Sequence, residues 1–343
     1  MKIAIHSAKG SFSDRWIPYC EKNNIPYKLV NCFSTDIMQQ LNDCDALMWH
    51  FNHKGARESK FAKQLLFAVQ HAGKAVFPNY NTAWHFDDKV AQKYLLEGID
   101  APLAPAYVFY TKQEALDWAT QTEYPKVFKL RNGAGSDNVK LVRSLSQARQ
   151  LILKSFNRGF KQYDAWGNLK ERVRLFKAGK TTFWDVSKGI GRFFYTTQYA
   201  RVTGNEMGYV YFQEFIPQND SDIRVCVVGD KAFAIKRMVR ENDFRASGSG
   251  TILYDKKYFD DETIKVAFEV SEKLNDQCMA YDFVYKDGKA LIVEISYGFA
   301  KEGYDDCVGY WEKDMTWHPG KFNPYGWMVE DIKNQMNLRN GSV

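Results

Sequence analysis

Short apolar runs alternate with amphipathic stretches through the first eighty residues. Lys2–Ile5, Ala46–Trp49 and Ala75–Phe77 read as strands and Phe61–His71 as a helix, which points to an open α/β sheet. Pro78-Asn79 closes this unit. Asp87-Asp88-Lys89 then opens a helix through Leu96, stopped at Gly98, since an acidic cap satisfies the first N–H groups of an apolar-periodic run. A second α/β stretch runs from Pro105 to about Phe156.

Inside that stretch a strand ends at Lys129, and another returns at Val139–Val142. The loop between them carries Gly133, Gly135 and Ser136. Backbone N–H groups in such a loop can approach phosphates while a lysine adds charge. No Gly-Lys-Ser/Thr opens a helix, so this is not a Walker loop; a plain Gly-rich hairpin is the competing reading. Next, a strand over 209–213 leaves into a linker, and Asp222–Arg237 forms a hairpin turning at Gly229-Asp230. A helix near Asp261–Leu274 follows.

The most informative segment is the hairpin after that helix. Two runs of β-formers flank Asp287-Gly288, a hairpin turn signal. A three-residue loop there puts Asp282 and Glu294 on one sheet face, opposite or diagonal to each other, with Ser296 two positions on. Two such acids repel unless a cation lies between them, and Mg²⁺ takes one or two carboxylates plus substrate phosphates. Taken alone, the pair is equally compatible with a surface hairpin bearing two solvated acids.

With 45% hydrophobic and 15% aromatic residues, the chain can bury a large core and is not disordered. Its length suggests two or three packed units. Neither a signal peptide nor a bilayer-spanning run stands out. The six cysteines (20, 32, 44, 226, 278 and 307) form no Cys-x-x-Cys pair. They read as structural thiols of a reducing cytoplasm. His50, His53 and His318 read as packing or surface residues.

The net charge of +6 is unevenly spread: residues 158–201 hold ten Lys or Arg against three acids. Leu169, Val173 and Phe176 sit at i, i+4, i+7, with Lys170, Arg172, Arg174 and Lys177 on the other faces, as in a short basic amphipathic helix. The segment looks like an insertion. It reads as a dock for an anionic substrate or membrane surface, or as a solvated face; no nucleic-acid module is recognisable. The aromatics of the tail (Tyr304, Tyr310, Trp311, Trp317, Tyr325 and Trp327) can pack a core or stack on sugar rings.

From about Asn79 to Ser296 the order of motifs resembles the ATP-grasp superfamily, especially the ligases that add glutamate to a ribosomal protein's C-terminus, with glutathione synthetase next. The motifs are Asp88-Lys89, Pro125–Lys129, Gly133–Val139, Gln213–Ile216, Asp222–Arg224, Asp243–Arg245, Asp282 and Glu294. The resemblance implies an α/β (α+β) ATP-grasp fold behind a small open-sheet domain. Its expected division is 1–86, then 87–212 with the basic insertion, then 213–335 with the metal site and aromatic tail. It implies ATP held by Lys89, Lys129 and the Gly133, Gly135, Ser136 loop. Gln213, Glu214, Phe215 and Ile216 resemble the hinge, where backbone groups of Glu214 and Ile216 read adenine, and Asp222 falls near the ribose. Arg224 and Arg245 resemble the arginines on phosphate oxygens and the acyl phosphate, and Asp282 and Glu294 the Mg²⁺ ligands. The family's last ligands are usually Glu-x-Asn; Ser296 stands in the Asn position, which puts a second metal in doubt.

This chemistry suits carboxylate activation, where positioning and charge neutralisation do most of the work. The resemblance implies a carboxylate–amine ligase whose acid is a small molecule or a glycan-linked group of polysaccharide synthesis, and it leaves a homodimer open. Two alternatives stay open: a kinase that phosphorylates a hydroxyl, and a nucleotide-binding regulator without catalysis.

Overall fold

A computed structural model of the chain describes residues 1–340 apart from 53–54, 134–137, 162–168, 170–171, 174–175, 177–180, 192–203, 240–243 and 247–249. The strands are β1 (Ile3–His6), β2 (Tyr27–Val30), β3 (Ala46–Met48), β4 (Ala75–Phe77), β5 (Ala106–Phe109), β6 (Lys126–Lys129), β7 (Val139–Val142), β8 (Phe160–Lys161) and β9 (Asn205–Glu206). They continue as β10 (Val210–Glu214), β11 (Ser221–Val228), β12 (Lys231–Met238), β13 (Ile252–Leu253), β14 (Cys278–Lys286), β15 (Lys289–Ser296), β16 (Gly309–Glu312) and β17 (Trp317–Pro319). The helices described are α1 (Ser13–Lys22), α2 (Ile37–Gln40), α3 (Ala56–His71), α4 (Tyr80–Ala83), α5 (Lys89–Gly98), α6 (Lys112–Gln121), α7 (Leu145–Asn157), α8 (Phe183–Gly191), α9 (Asp261–Leu274) and α10 (Pro324–Asn340).

These strands form three main sheets. The first is parallel, in the order β2-β1-β3-β4. The second is antiparallel, β5-β10-β6-β7, with α6 and α7 beside it. Both helices start at side-chain caps, Thr111 accepting from Glu114 N–H and Ser144 from Gln147 N–H, as their sequences demand. The third sheet runs β15-β14-β11-β12-β16-β17, with β13 paired to β12.

The helix expected from Phe61 begins five residues earlier at Ala56. Its first turn (Arg57, Glu58, Ser59, Lys60) is polar throughout, so no apolar period marks it. Helix α1 contains Pro18, a residue that usually ends helices. The hairpins at 222–237 and 279–296 and the helix Asp261–Leu274 form where their patterns place them.

One apolar core runs continuously from the first sheet into the third, while the second sheet keeps a separate core under α6 and α7. The chain's last helix makes the bridge. On α10, Tyr325 packs its ring 5.3 Å from Phe12, and Glu330 accepts from the Tyr19 hydroxyl at 3.2 Å. Tyr304, Trp311 and Tyr325 are buried in this core. Trp327 stacks on Phe322 and Tyr310 on His318, and Tyr310, Trp317 and Trp327 pack against the core while staying partly exposed. All six cysteines are unpaired thiols and buried. His50 is buried too, stacked on Phe12 and accepting its N–H; His53 lies outside the described residues.

Candidate active site

The turn Asp287-Gly288 has positive φ at both residues, 50° and 76°. It joins strands whose last rung is Lys286↔Lys289: a two-residue loop in place of the three-residue loop expected. A regular ladder from that turn would set Asp282 opposite Val293. The register instead slips by one between Asp282 and Phe283, and Asp282 faces Glu294. Val293 is the extra residue of a β-bulge.

On the next strand inward Arg224 lies opposite Asp282, and two rungs along Asp222 lies opposite Arg237. The Arg224 guanidinium forks the Asp282 carboxylate, donating from Nε at 2.5 Å and from Nη2 at 2.6 Å. Arg237 forks Asp222 at 2.7 and 2.6 Å and reaches Asp282 Oδ2 at 3.0 Å. Burial pushes the Asp282 carboxyl up, but the two guanidiniums prevail and hold it well below its ordinary range. Burial leaves Asp222 raised despite Arg237. Arg237 had no role assigned from sequence; its place directly opposite Asp222 in the hairpin that turns at Gly229-Asp230 is the signal that identifies it.

Two lysines approach this face from outside the sheet. Lys89 opens α5 behind the Asp88 cap, whose Oδ1 accepts from Val90 and Ala91 N–H. Its ammonium lies 3.3 Å from Glu294 Oε1 and donates to the Gly133 carbonyl at 2.9 Å. Gly133 donates its N–H to Asp87 at 2.9 Å, which ties the glycine loop to the start of α5. Its φ of 117°, with Asn138 Nδ2 only 2.8 Å from where a Cβ would stand, explains the glycine. Gly135 and Ser136 lie outside the described residues.

Lys129, at the end of β6, crosses to the third sheet and donates to the bulged Val293 carbonyl at 3.1 Å. Burial pulls its pKa down to about 8, Glu294 opposing and Lys89 adding to the fall. For Lys89 burial also works against charge, but Glu294 and Asp87 outweigh it and raise its pKa. Burial is likewise outweighed at Glu294, which Lys89 and Lys129 hold below the usual carboxylate value.

Between the second and third sheets lies a cleft of about 850 Å³, part of it open to solvent. Gln213, Glu214, Phe215, Ile216, Asp222, Arg245, Asp282, Glu294 and Lys129 all line it. At the hinge one backbone donor is already taken. The Glu214 N–H donates to Pro105 at 2.8 Å, and its carboxylate holds Lys126 at 2.6 Å and Tyr107 at 3.0 Å. Only the Glu214 carbonyl can therefore face a base. The Ile216 carbonyl accepts from Asn219, and its N–H meets no acceptor among the described residues. Asp243 lies outside them.

The donor set fits one Mg²⁺ carried with nucleotide phosphates. Glu294 has one oxygen at Lys89 and a side chain one-third exposed. Asp282 has Oδ1 engaged once and Oδ2 twice by guanidinium N–H groups, leaving lone-pair capacity at Oδ1. No three His, Cys or acidic side chains converge among the described residues. The Ser296 hydroxyl donates to the Gly298 carbonyl at 2.8 Å, so the donor set offers no second complete site.

A family model described as a RimK-like ATP-grasp domain matches residues 189–309. Solved structures cover nearly the whole chain. The D-alanine–D-alanine ligase of Bacillus anthracis in complex with ATP aligns over 100% of this chain and 99% of its own, at TM-score 0.58 and 11% identity. A RimK domain ATP-grasp protein of Sphaerobacter thermophilus aligns over 97% and 99%, at TM-score 0.56 and 15% identity. The fold is that of the ATP-grasp superfamily. Within it the chain resembles the RimK-like branch and is also similar to the α-aminoadipate–LysW ligase LysX of Saccharolobus solfataricus, 22% identical over 67% of this chain and 68% of that one.

Proposed function

We propose that this chain is an ATP-dependent carboxylate–amine ligase working through an acyl phosphate. The observation that carries the reading is the convergence, at one end of the cleft, of two lysines from outside the third sheet onto a Glu294–Asp282–Arg224 row within it. Segments 87–212 and 213–335 act as the two lobes, behind 1–86. ATP lies between them, its adenine against the Glu214 carbonyl and Ile216 N–H and its ribose near Asp222.

Lys89, Lys129 and the glycine loop hold phosphate oxygens. Glu294 and Asp282 would hold Mg²⁺, which would offset the charge of the phosphates. Arg245, on the cleft wall, and Arg224, through the guanidinium N–H groups that Asp282 does not take, face the transferring phosphoryl group. The substrate's carboxylate oxygen takes the γ-phosphoryl as ADP leaves; an amine then attacks the acyl carbon, phosphate departs, and the amine loses a proton. The relatives' names pair D-alanine with D-alanine and α-aminoadipate with LysW, which supports joining of this type. A glycan-linked acid is the finer reading, but of the tail aromatics that favoured it Tyr304, Trp311 and Tyr325 are buried in the core.

The test is ADP and phosphate release across a panel of carboxylates with and without amines. Turnover that needs both substrates is expected. Turnover with a hydroxyl compound alone would make the chain a kinase, and tight ATP binding without turnover would make it a regulator.

A further inference from the structure

A second cavity, of about 1380 Å³ and partly open to solvent, has no part in the proposed chemistry. Helix α1 forms one wall through Asp14, Arg15, Tyr19 and Lys22, and the chain around 304–307 and 321–325 forms the other. Tyr304 stands between this cavity and the nucleotide cleft. Its ring packs on Phe299 and Phe233 at 4.9 and 5.4 Å, and its hydroxyl lies against Cys226, two residues from Arg224.

The charges on these walls do not cancel. Asp14 is held by Lys301, and Asp305 by Arg15 at 2.7 Å. Tyr19 donates to Glu330, which Lys333 pairs at 2.9 Å. Each acid therefore has its own cation. Lys321 donates to the neutral carbonyl of Asp305 at 2.5 Å. Lys22, in the last turn of α1, meets no acid among the described residues. One uncompensated ammonium is left on each wall.

The floor adds two directed features. Helix α10 starts at Pro324, behind Asn323, whose Oδ1 accepts from the Gly326 N–H at 3.1 Å. Its first residues line the cavity, so the positive end of the helix dipole lies there. Tyr325 is only 4% exposed, its ring 5.3 Å from Phe12. Its hydroxyl is buried without a hydrogen-bond partner among the described residues. Burial and then Asp305 raise the pKa of that hydroxyl while Arg15 opposes them. It therefore lies near the Arg15–Asp305 pair and stays protonated, as a donor.

We propose that this cavity binds a phosphate ester, at a site separate from the nucleotide cleft. A doubly charged phosphate matches the two uncompensated lysines and the helix N-terminus. The Tyr325 hydroxyl would gain the acceptor it lacks. The cavity is far larger than a phosphate ion, and the partly exposed rings of Tyr19 and Phe322 line more of it. That surface suits an organic group on the ester.

Calorimetry with phenyl phosphate as the probe tests this without turnover, at a pH of about 7.5 where the phosphate is doubly charged. The nucleotide cleft is first filled with Mg²⁺ and adenylyl imidodiphosphate. Saturable binding at one site is expected to persist. Benzoate, with a single charge, should bind about tenfold more weakly, and inorganic phosphate, without the ring, should also bind more weakly. Lys22→Gln with Lys321→Gln should lower affinity about tenfold, while Lys22→Arg with Lys321→Arg should retain it. Tyr325→Phe, which keeps the buried ring, should lower affinity about fivefold. Absence of saturable binding, or its loss once the cleft is filled, would overturn the proposal. So would equal affinity for benzoate or inorganic phosphate, or wild-type affinity in the double glutamine variant.

Discussion

Asp282 and Glu294 face each other across the β14–β15 ladder only because Val293 is bulged out of it. The same bulge turns the Val293 carbonyl toward Lys129, 3.1 Å away. One extra residue thus sets both the carboxylate pair and the lysine opposite it.

Glu294→Gln keeps the size of the side chain but removes its charge. ADP release should collapse, by about a hundredfold or more for a lost charged contact to a bound metal or lysine, while the circular dichroism spectrum stays native. Near-normal turnover at limiting Mg²⁺ would take this hairpin out of the site.

Lys129 titrates near 8, so its positive charge is present below that pH and lost above it. ATP affinity, measured by calorimetry, should fall as pH rises from 7 to 9. Lys129→Arg should flatten the dependence, because a guanidinium stays charged. Lys129→Ala should weaken binding tenfold to a hundredfold, about 1.5–3 kcal/mol; an unchanged affinity would exclude the residue.

Arg237 is the guanidinium partner of both Asp222 and Asp282. Arg237→Met strands the buried Asp222 carboxylate, while Asp282 keeps the Arg224 fork, and should destabilise the fold by about 3 kcal/mol, read by urea melts. Adding Asp222→Asn should recover part of that loss, since the stranded charge is then gone. Equal melts for the wild type and the single variant would show the pair to be dispensable.

Asp276, beside the Ser271 and Tyr281 hydroxyls, is pushed up to about 7 by burial. Its folded-state pKa lies above its unfolded value. Its contribution to stability is therefore present at acid pH and lost as pH rises through 7. Asp276→Asn should raise stability at pH 8 by roughly 2–3 kcal/mol and flatten the profile between pH 5 and 8. A parallel profile in both proteins would refute the assignment.

Both hairpins that build the candidate site are local structures. Their strands alternate with period two, and Gly229-Asp230 and Asp287-Gly288 carry their own turn conformations, so adjacent residues suffice to place Asp222 and Arg224 on one face and to bring the strands of Asp282 and Glu294 together. Helix α5 is equally local, since Asp88 caps it and thereby sets Lys89 at its first position. The bulge at Val293 was not legible, because no Gly or Pro marks it and Val fits a regular strand as well as a bulged one. The hinge motif showed which residues approach the cleft but not that the Glu214 N–H is already engaged by Pro105.

What the chain determined by itself is the set of short-range elements and the charged residues each one presents. Tertiary structure decided which of those residues meet. Lys129 reaches Val293 across 164 positions and Lys89 reaches Gly133 across 44, and α10 returns more than three hundred residues later to close the core around Phe12 and Tyr19. Such contacts depend on how three sheets pack against one another, and hydrophobic packing is non-directional, so no period or spacing along the sequence encodes them.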